Sequence, residues 1–184
     1  MKEICENIID IVNNSISAGA TVVEIEIEEN TDRDLLSLSI SDNGKGIDSD
    51  TLRNISDPFF TTKSKKKVGM GTSLLKFHAE LTGGNFEIES KPGKGTRVKA
   101  TFGLNHVDRQ PLGDITGTLL LFLTGNPEIH LIYKHIINGN SFILDSLEVK
   151  NALGGVKLNR PELRTILRNY IQSNLDAVKS EGSE

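Results

Sequence analysis

The chain has 184 residues, 36% hydrophobic and 25% charged, a composition that suits a globular protein with one buried core and a small appendage. A net charge of −4 and a pI near 5.6 argue against a general nucleic-acid surface. No apolar run approaches the ~20 residues that span a bilayer and no signal peptide precedes the first helix; one cysteine, Cys5, leaves no internal disulfide, which fits a reducing cytoplasm.

Residues 2–18 are predicted to form a helix. Ile4, Ile8, Ile11 and Val12 make an apolar stripe, and Asn7, Asp10, Asn14 and Ser17 recur on another face. Gly19 is placed to stop it. Asp10 and Asn14 are one turn apart, so their side chains meet on one side. An amide oxygen there can ligate Mg²⁺, and a carboxylate beside it can orient or deprotonate a nucleophile. The same face also reads as ordinary solvated helix.

Two strands follow. Val23, Ile25 and Ile27 alternate with Glu24, Glu26 and Glu28, and after a turn at 30–34, Leu36, Leu38 and Ile40 alternate with Ser37, Ser39 and Ser41. Asp42 ends the second strand just before Asn-Gly-Lys-Gly. A carboxylate at the closed end of a pocket can accept a hydrogen bond from an exocyclic amine such as that of adenine. Gly44 and Gly46 let the backbone turn tightly beside a flat base. A strand ending in an Asp-Asn-Gly turn is also common without any ligand.

Residues 48–55 read as a short helix capped by Asp48 or Ser49. Next come Phe59-Phe60 and four lysines, Lys63, Lys65, Lys66 and Lys67, which read as a cationic lid or as a solvated charge run. Gly69-Met70-Gly71-Thr72-Ser73 leads into a helix to residue 81. Glycines at a helix start present free N–H groups to an anion, and Thr72 or Ser73 could cap the helix and face a phosphate. Gly83-Gly84 breaks the chain. Phe86 and Ile88 mark a strand, residues 92–95 a hairpin turn, and Val98, Ala100 and Phe102 the return strand. This order predicts an α+β fold, a two-layer α/β sandwich with helices on one face of a mixed sheet.

These segments together, spanning residues 6–103, resemble the GHKL ATPase superfamily of sensor histidine kinases, DNA gyrase, heat-shock chaperone relatives and mismatch-repair MutL proteins. Asp10 to Thr21 is similar to the N box, Asp42-Asn-Gly-Lys-Gly-Ile47 to the first glycine box, and Asp57-Pro-Phe-Phe-Thr-Thr-Lys63 to the F box of histidine kinases. Gly69-Met-Gly-Thr-Ser-Leu74 is similar to the second glycine box and Gly93-Lys-Gly-Thr-Arg-Val98 to the last box. The resemblance implies the Bergerat ATP-binding fold with ATP and Mg²⁺ as cofactors. Asn14 would hold Mg²⁺, Asp10 stands where the catalytic base belongs, and Asp42 would read adenine, with Thr96 as a second contact through water. Gly44, Gly46 and Ile47 would flank the base. Phe59 and Phe60 would anchor the lid, while Lys63, Gly69, Met70, Gly71, Thr72 and Ser73 would surround the phosphates.

The N box begins about ten residues from Met1, which leaves no phosphoacceptor hairpin before it, and none of the four histidines carries an acceptor pattern. His78 reads as a packed or rim histidine. Residues 1–104 are therefore expected to be the ATP-binding domain and 105–117 a linker. Residues 118–179 are expected to form a β-β-β-α-α appendage and 180–184 a disordered tail. Its strands are placed at 118–123, 129–136 and 142–144, and its helices at 146–153 and 160–176. Asp145-Ser-Leu-Glu148 and Asn159-Arg-Pro-Glu162 read as capping boxes. Leu163, Ile166, Leu167, Tyr170 and Ile171 share one face of the last helix, as core or as partner surface.

Three functions compete. One is a cytoplasmic kinase subunit that phosphorylates a partner protein in signalling, which the F box favours. Another is an ATP-hydrolysing switch of the MutL or gyrase kind acting as a homodimer, which residues 14–21 favour. The third is a regulatory ATP sensor. Each implies a protein partner, phosphoacceptor or regulator, with no nucleic-acid or membrane partner.

Overall fold

The computed structural model describes residues 3–56 and 70–182. The F box, with Phe59, Phe60 and Lys63, and also Gly69 lie outside the described residues. In chain order the elements are α1 (Ile4–Ser17), β1 (Val22–Asn30), β2 (Leu35–Asp42), α2 (Ser49–Ser56), α3 (Met70–Leu81), β3 (Phe86–Lys91) and β4 (Gly95–Gly103). They continue with α4 (Ile115–Gly125), β5 (His130–Ile137), β6 (Asn140–Asp145), α5 (Ser146–Ala152) and α6 (Pro161–Glu181).

The six strands form one mixed sheet in the order β3-β4-β2-β1-β5-β6, antiparallel throughout except for the parallel β1–β5 pair. The alternation in β1 and β2 decides its two faces. Val23, Ile25, Ile27, Leu36, Leu38 and Ile40 are all buried on one face, with Val98, Ala100, Phe102, Leu131 and Tyr133 in register beside them. The glutamates and serines between them face the other way. On the buried face lie Ile4, Ile8 and Val12 of α1, Leu75 and Ala79 of α3, Leu119 and Leu120 of α4, and Leu167 and Ile171 of α6. The expected two-layer α+β sandwich is thus the observed one. No helix among the described residues is long and apolar enough to cross a membrane.

The appendage differs from its expected β-β-β-α-α order. Residues 118–123 form the middle of helix α4, not a strand, and the order is α-β-β-α-α. Two physical causes act together. Asp114 caps the helix by accepting Gly117 N at 2.7 Å, and residues 119–123 hold four leucines, strong helix formers, with Leu121 alone largely exposed. An apolar run buried nearly all round has no period to distinguish helix from strand. Topology also demands a helix: β4 and β5 run in the same direction, so the chain must cross back over the sheet between them. Strands β5 and β6 then extend the sheet beside β1 and share its core.

Two helix ends also differ. α6 continues to Glu181, so residues 180 and 181 are helical and not part of a disordered tail; Gly182 caps it and its carbonyl accepts Asn138 Nδ2 at 2.6 Å. Its N-cap is Arg160 with no side-chain cap bond, so the Asn159 capping box does not form, whereas the Asp145 side chain does cap α5. α3 starts at Met70, which puts Thr72 and Ser73 inside the first turn and not at the cap. Asn7, expected on a polar face of α1, is fully buried.

Candidate functional site

A cleft of about 200 Å³ opens between α1, the end of β2, the following loop, β3, β4 and the first turn of α3. Its walls are apolar: Ile11, Ala18, Ile40, Ile47, Ile88 and Val98. Its polar groups are few, with Asp42, Thr96, Ser15 and Asn14 the chief of them. A flat, largely apolar slot with convergent polar atoms at one end suits a heteroaromatic base.

Asp42 sits at that end, and its hydrogen bonds can be counted. Oδ1 accepts Gly44 N at 2.8 Å and Thr96 N at 3.3 Å, which uses both of its lone pairs. Oδ2 accepts Ser15 Oγ at 2.7 Å. The Ser15 hydroxyl has one hydrogen, and the carboxylate is a shorter and stronger acceptor than the Ile11 carbonyl at 3.2 Å. One lone pair of Oδ2 is left for an N–H entering the cleft. Thr96 is oriented by the same kind of counting. Ser90 Oγ donates to Gly95 O and accepts Ile47 N, so in its 2.9 Å contact with Thr96 Oγ1 the threonine is the donor. The Thr96 lone pairs are then free to accept from a ligand or a water.

The first glycine box is held by contact between distant segments of the chain. Gly46 has φ +68°, and a Cβ there would overlap the Lys91 carbonyl, so only glycine lets the loop lie against the β3–β4 hairpin. Gly44 is buried against Ala18 and Asp42, and it steadies the carboxylate instead of lining the cleft. Asn43 accepts Thr21 N and Val22 N and thereby ties the loop to the start of β1.

At the other end Asn14, exposed, and Thr72 line the cleft. Beyond them a Cβ on Gly71 would overlap the Asp10 carboxylate. Glycine at 71 therefore lets Asp10 lie directly against the first turn of α3, where the positive end of the helix dipole favours negative charge. Met70 and Ser73 belong to that turn. No group of three His, Cys, Asp or Glu side chains able to hold a metal occurs among the described residues. Asn14 offers one amide oxygen at this end, a ligand that a hard cation can take beside phosphates and waters.

The cleft contains residues that the motifs did not single out. Ser15 is the most telling, because it orients Asp42. Its spacing carried the signal: Ile11, Asn14, Ser15 and Ala18 fall at i, i+3, i+4 and i+7 on one side of α1. Lys45 also lines the cleft. His78 is packed edge-on against Phe77, and desolvation lowers its pKa.

The family described as histidine kinase-, DNA gyrase B-, and HSP90-like ATPase matches residues 1–106. A putative sensor protein of Shewanella frigidimarina is 35% identical over 103 residues, 55% of this chain and 16% of that protein. Sensor protein kinase FleS of Pseudomonas aeruginosa is 35% identical over 108 residues, 59% of this chain and 26% of its own. The chain thus matches only a minor part of each relative's length. The N-terminal domain of a DNA repair protein has a similar shape, with a TM-score of 0.51 at 19% identity over 79% of this chain and 53% of that one. At that identity the likeness is one of fold alone.

Proposed function

The chain belongs to the histidine kinase-, DNA gyrase B- and HSP90-like ATPase family and carries its ATP-binding domain, and from that premise we propose that it binds Mg-ATP in this cleft and transfers the γ-phosphoryl group to a partner protein. The observation that carries the binding half is the single free lone pair on Asp42 Oδ2, aimed into a slot with apolar walls. It accepts the adenine amine, and a base without that donor leaves the carboxylate short of a partner. Ile11, Ile40, Ile47, Ile88 and Val98 exclude water around the ring.

Asn14 would hold Mg²⁺, which supplies charge neutralisation of the triphosphate. Thr72 and the first turn of α3 face the phosphates. Asp10 lies against that turn, where it takes the proton of the attacking group as the new bond to phosphorus forms and the bond to the ADP oxygen breaks. Phe59, Phe60, Lys63 and Gly69 complete the phosphate side in this reading. The relatives named as sensor kinases support transfer to a partner. The run Asn14 to Thr21 supports a second reading, an ATP-hydrolysing switch.

Calorimetric titration of Mg-ATP tests the binding. Asp42→Asn replaces one carboxylate oxygen with an N–H₂ that faces either the Gly44 and Thr96 N–H groups or Ser15 and the adenine amine, at a cost of about 1–3 kcal/mol, or roughly 5- to 150-fold in affinity. Equal affinity in the two proteins would remove the adenine assignment. Phosphate release then separates the readings. The kinase reading expects tight binding with little release, whereas sustained release abolished by Asn14→Ala identifies the switch.

A further inference from the structure

The two edges of the sheet are built differently. The β3 edge reads Phe86-Glu-Ile-Glu-Ser-Lys91, charged at every second position, with Pro92 following. Such residues hinder pairing with another chain. The β6 edge reads Asn140-Ser-Phe-Ile-Leu-Asp145, with no lysine or proline, and its outer side is unpaired among the described residues. The helical face beside this edge is apolar, and the open face is mixed, since Lys134 of β5, ion-paired with Glu26 at 3.4 Å, stands directly opposite Ile143. On the open face Ile143 is 55% exposed, with Ile132 and Ile136 diagonal to it on β5. On the helical face Phe142 meets the Tyr170 ring at 6.0 Å and an interplanar angle of 70°, which sets one side of α6 along the edge.

Between Glu162 and Glu181, which stand at its two ends, that side of α6 carries no charge. Leu163, Ile166, Tyr170, Ser173, Asn174 and Ala177 recur at spacings of three and four, one stripe of a helix. Ile166 and Tyr170 are 57% and 46% exposed. The charges between those two ends, Arg164, Arg168, Asp176 and Lys179, lie off the stripe. The stripe flanks the buried positions Leu167, Ile171 and Leu175 without belonging to them.

We propose that β6 pairs antiparallel with β6 of a second copy of this chain, about a two-fold axis at Ile143, joining the two six-stranded sheets into one. A two-fold axis perpendicular to the sheet keeps both helical layers on the same side. Each uncharged α6 stripe then meets its own copy, and the two Ile143 side chains pack together on the open face. Asp145, the one charged residue of β6, falls opposite Ser141, so no like charges oppose each other. The closed pair uses both unguarded edges and leaves the two charged β3 edges outermost. A second copy fits this surface better than an unrelated strand because the pattern is self-complementary about its centre.

The test is the mass of the full chain by sedimentation equilibrium, with nucleotide binding as the check on folding. Wild type is expected at twice 20.1 kDa and Ile143→Lys, which sets two lysines face to face, at 20.1 kDa with its melting transition retained. Ile143→Cys covers the case in which the lysine variant fails to fold. Residues opposite one another in an antiparallel pair bring their Cβ atoms within about 4.5–5.5 Å, near disulfide reach. Cys5 is buried and does not compete. Mild oxidation should therefore give a reducible covalent dimer from Ile143→Cys and none from Glu87→Cys on the other edge. A wild-type monomer, or a dimer that Ile143→Lys leaves intact and Ile143→Cys does not cross-link, overturns the proposal.

Discussion

Ser15 and Gly71 set the geometry of the cleft by positioning its two carboxylates, Asp42 and Asp10. The Ser15 hydroxyl fixes Asp42 Oδ2 from one side, and the Gly44 and Thr96 N–H groups fix Oδ1 from the other. A hydrogen bond to a charged group contributes about 1.5–3 kcal/mol. Ser15→Ala is expected to weaken Mg-ATP binding by roughly tenfold or more while the fold survives, because Ala keeps the helix and removes only the hydroxyl. Titration calorimetry with a parallel thermal melt checks both halves. Gly71→Ala acts at the opposite end. Its methyl group would occupy the space of the Asp10 carboxylate, so either Asp10 turns away or α3 shifts. The expected outcome is adenine binding close to wild type with phosphoryl transfer or release much reduced. Equal losses of both would mean that α3 moves as a whole.

At the scale of elements, two carboxylates link strands and helices in ways that pH can read. Glu29 of β1 accepts from His135 of β5 at 2.9 Å, and that hydrogen bond, outweighing burial, holds the Glu29 carboxyl below the usual range. A carboxylate whose folded pKa is depressed contributes stability that is fully present above its unfolded value, about 4.3, and is lost as pH falls through the folded one. Melting temperature should therefore drop below about pH 4.3 in wild type, and Glu29→Gln should flatten that acid limb. At Asp145 burial pushes the carboxyl up, but the His130 bond and the N–H groups of Leu147 and Glu148 together hold it low. Asp145→Ala removes the cap of α5 and the partner of His130 at once, a loss of about 1 kcal/mol or more. Elements of this kind were legible where local chemistry decides them: the alternation in β1 and β2, the hairpin turn at 92–95, the Asp145 cap, and Asp42, Thr96, Asn14, Gly46, Ile47 and Thr72 around one cleft. They were illegible where distant packing decides. Residues 118–123 carry no period because α4 is buried on nearly every side. Asn7 looks polar in sequence and is enclosed. The cleft walls Ile88 and Val98 read simply as strand residues until the sheet brings them beside α1.

Over the whole molecule, the family match ends at residue 106 but the packing does not. The first helix has no side-chain cap of its own. Instead Ile4 N and Cys5 N donate to the carbonyls of Pro111 and Leu112, both at 3.0 Å and both beyond the matched segment. Cys5 is enclosed there as well, and burial pushes its thiol up to about 11. β1, central in the six-stranded sheet, would become an edge if β5 were absent. A chain of residues 1–106 would leave Ile4, Val23, Ile25 and Ile27 partly uncovered. Full burial of such side chains is worth about 1.5–3 kcal/mol each, so losing half of it from four of them costs on the order of 3–6 kcal/mol. A domain's whole net stability is about 5–15 kcal/mol. The truncated chain is therefore expected to melt without a cooperative transition, or at a much lower temperature than the full chain, and to lose Mg-ATP binding with it, since α1 carries Asp10, Asn14 and Ser15. Circular dichroism melts beside calorimetric titration give the answer. A truncated chain that melts cooperatively and binds nucleotide like the full one would make α4 to α6 an attached module; the expected result makes them part of the nucleotide-binding core.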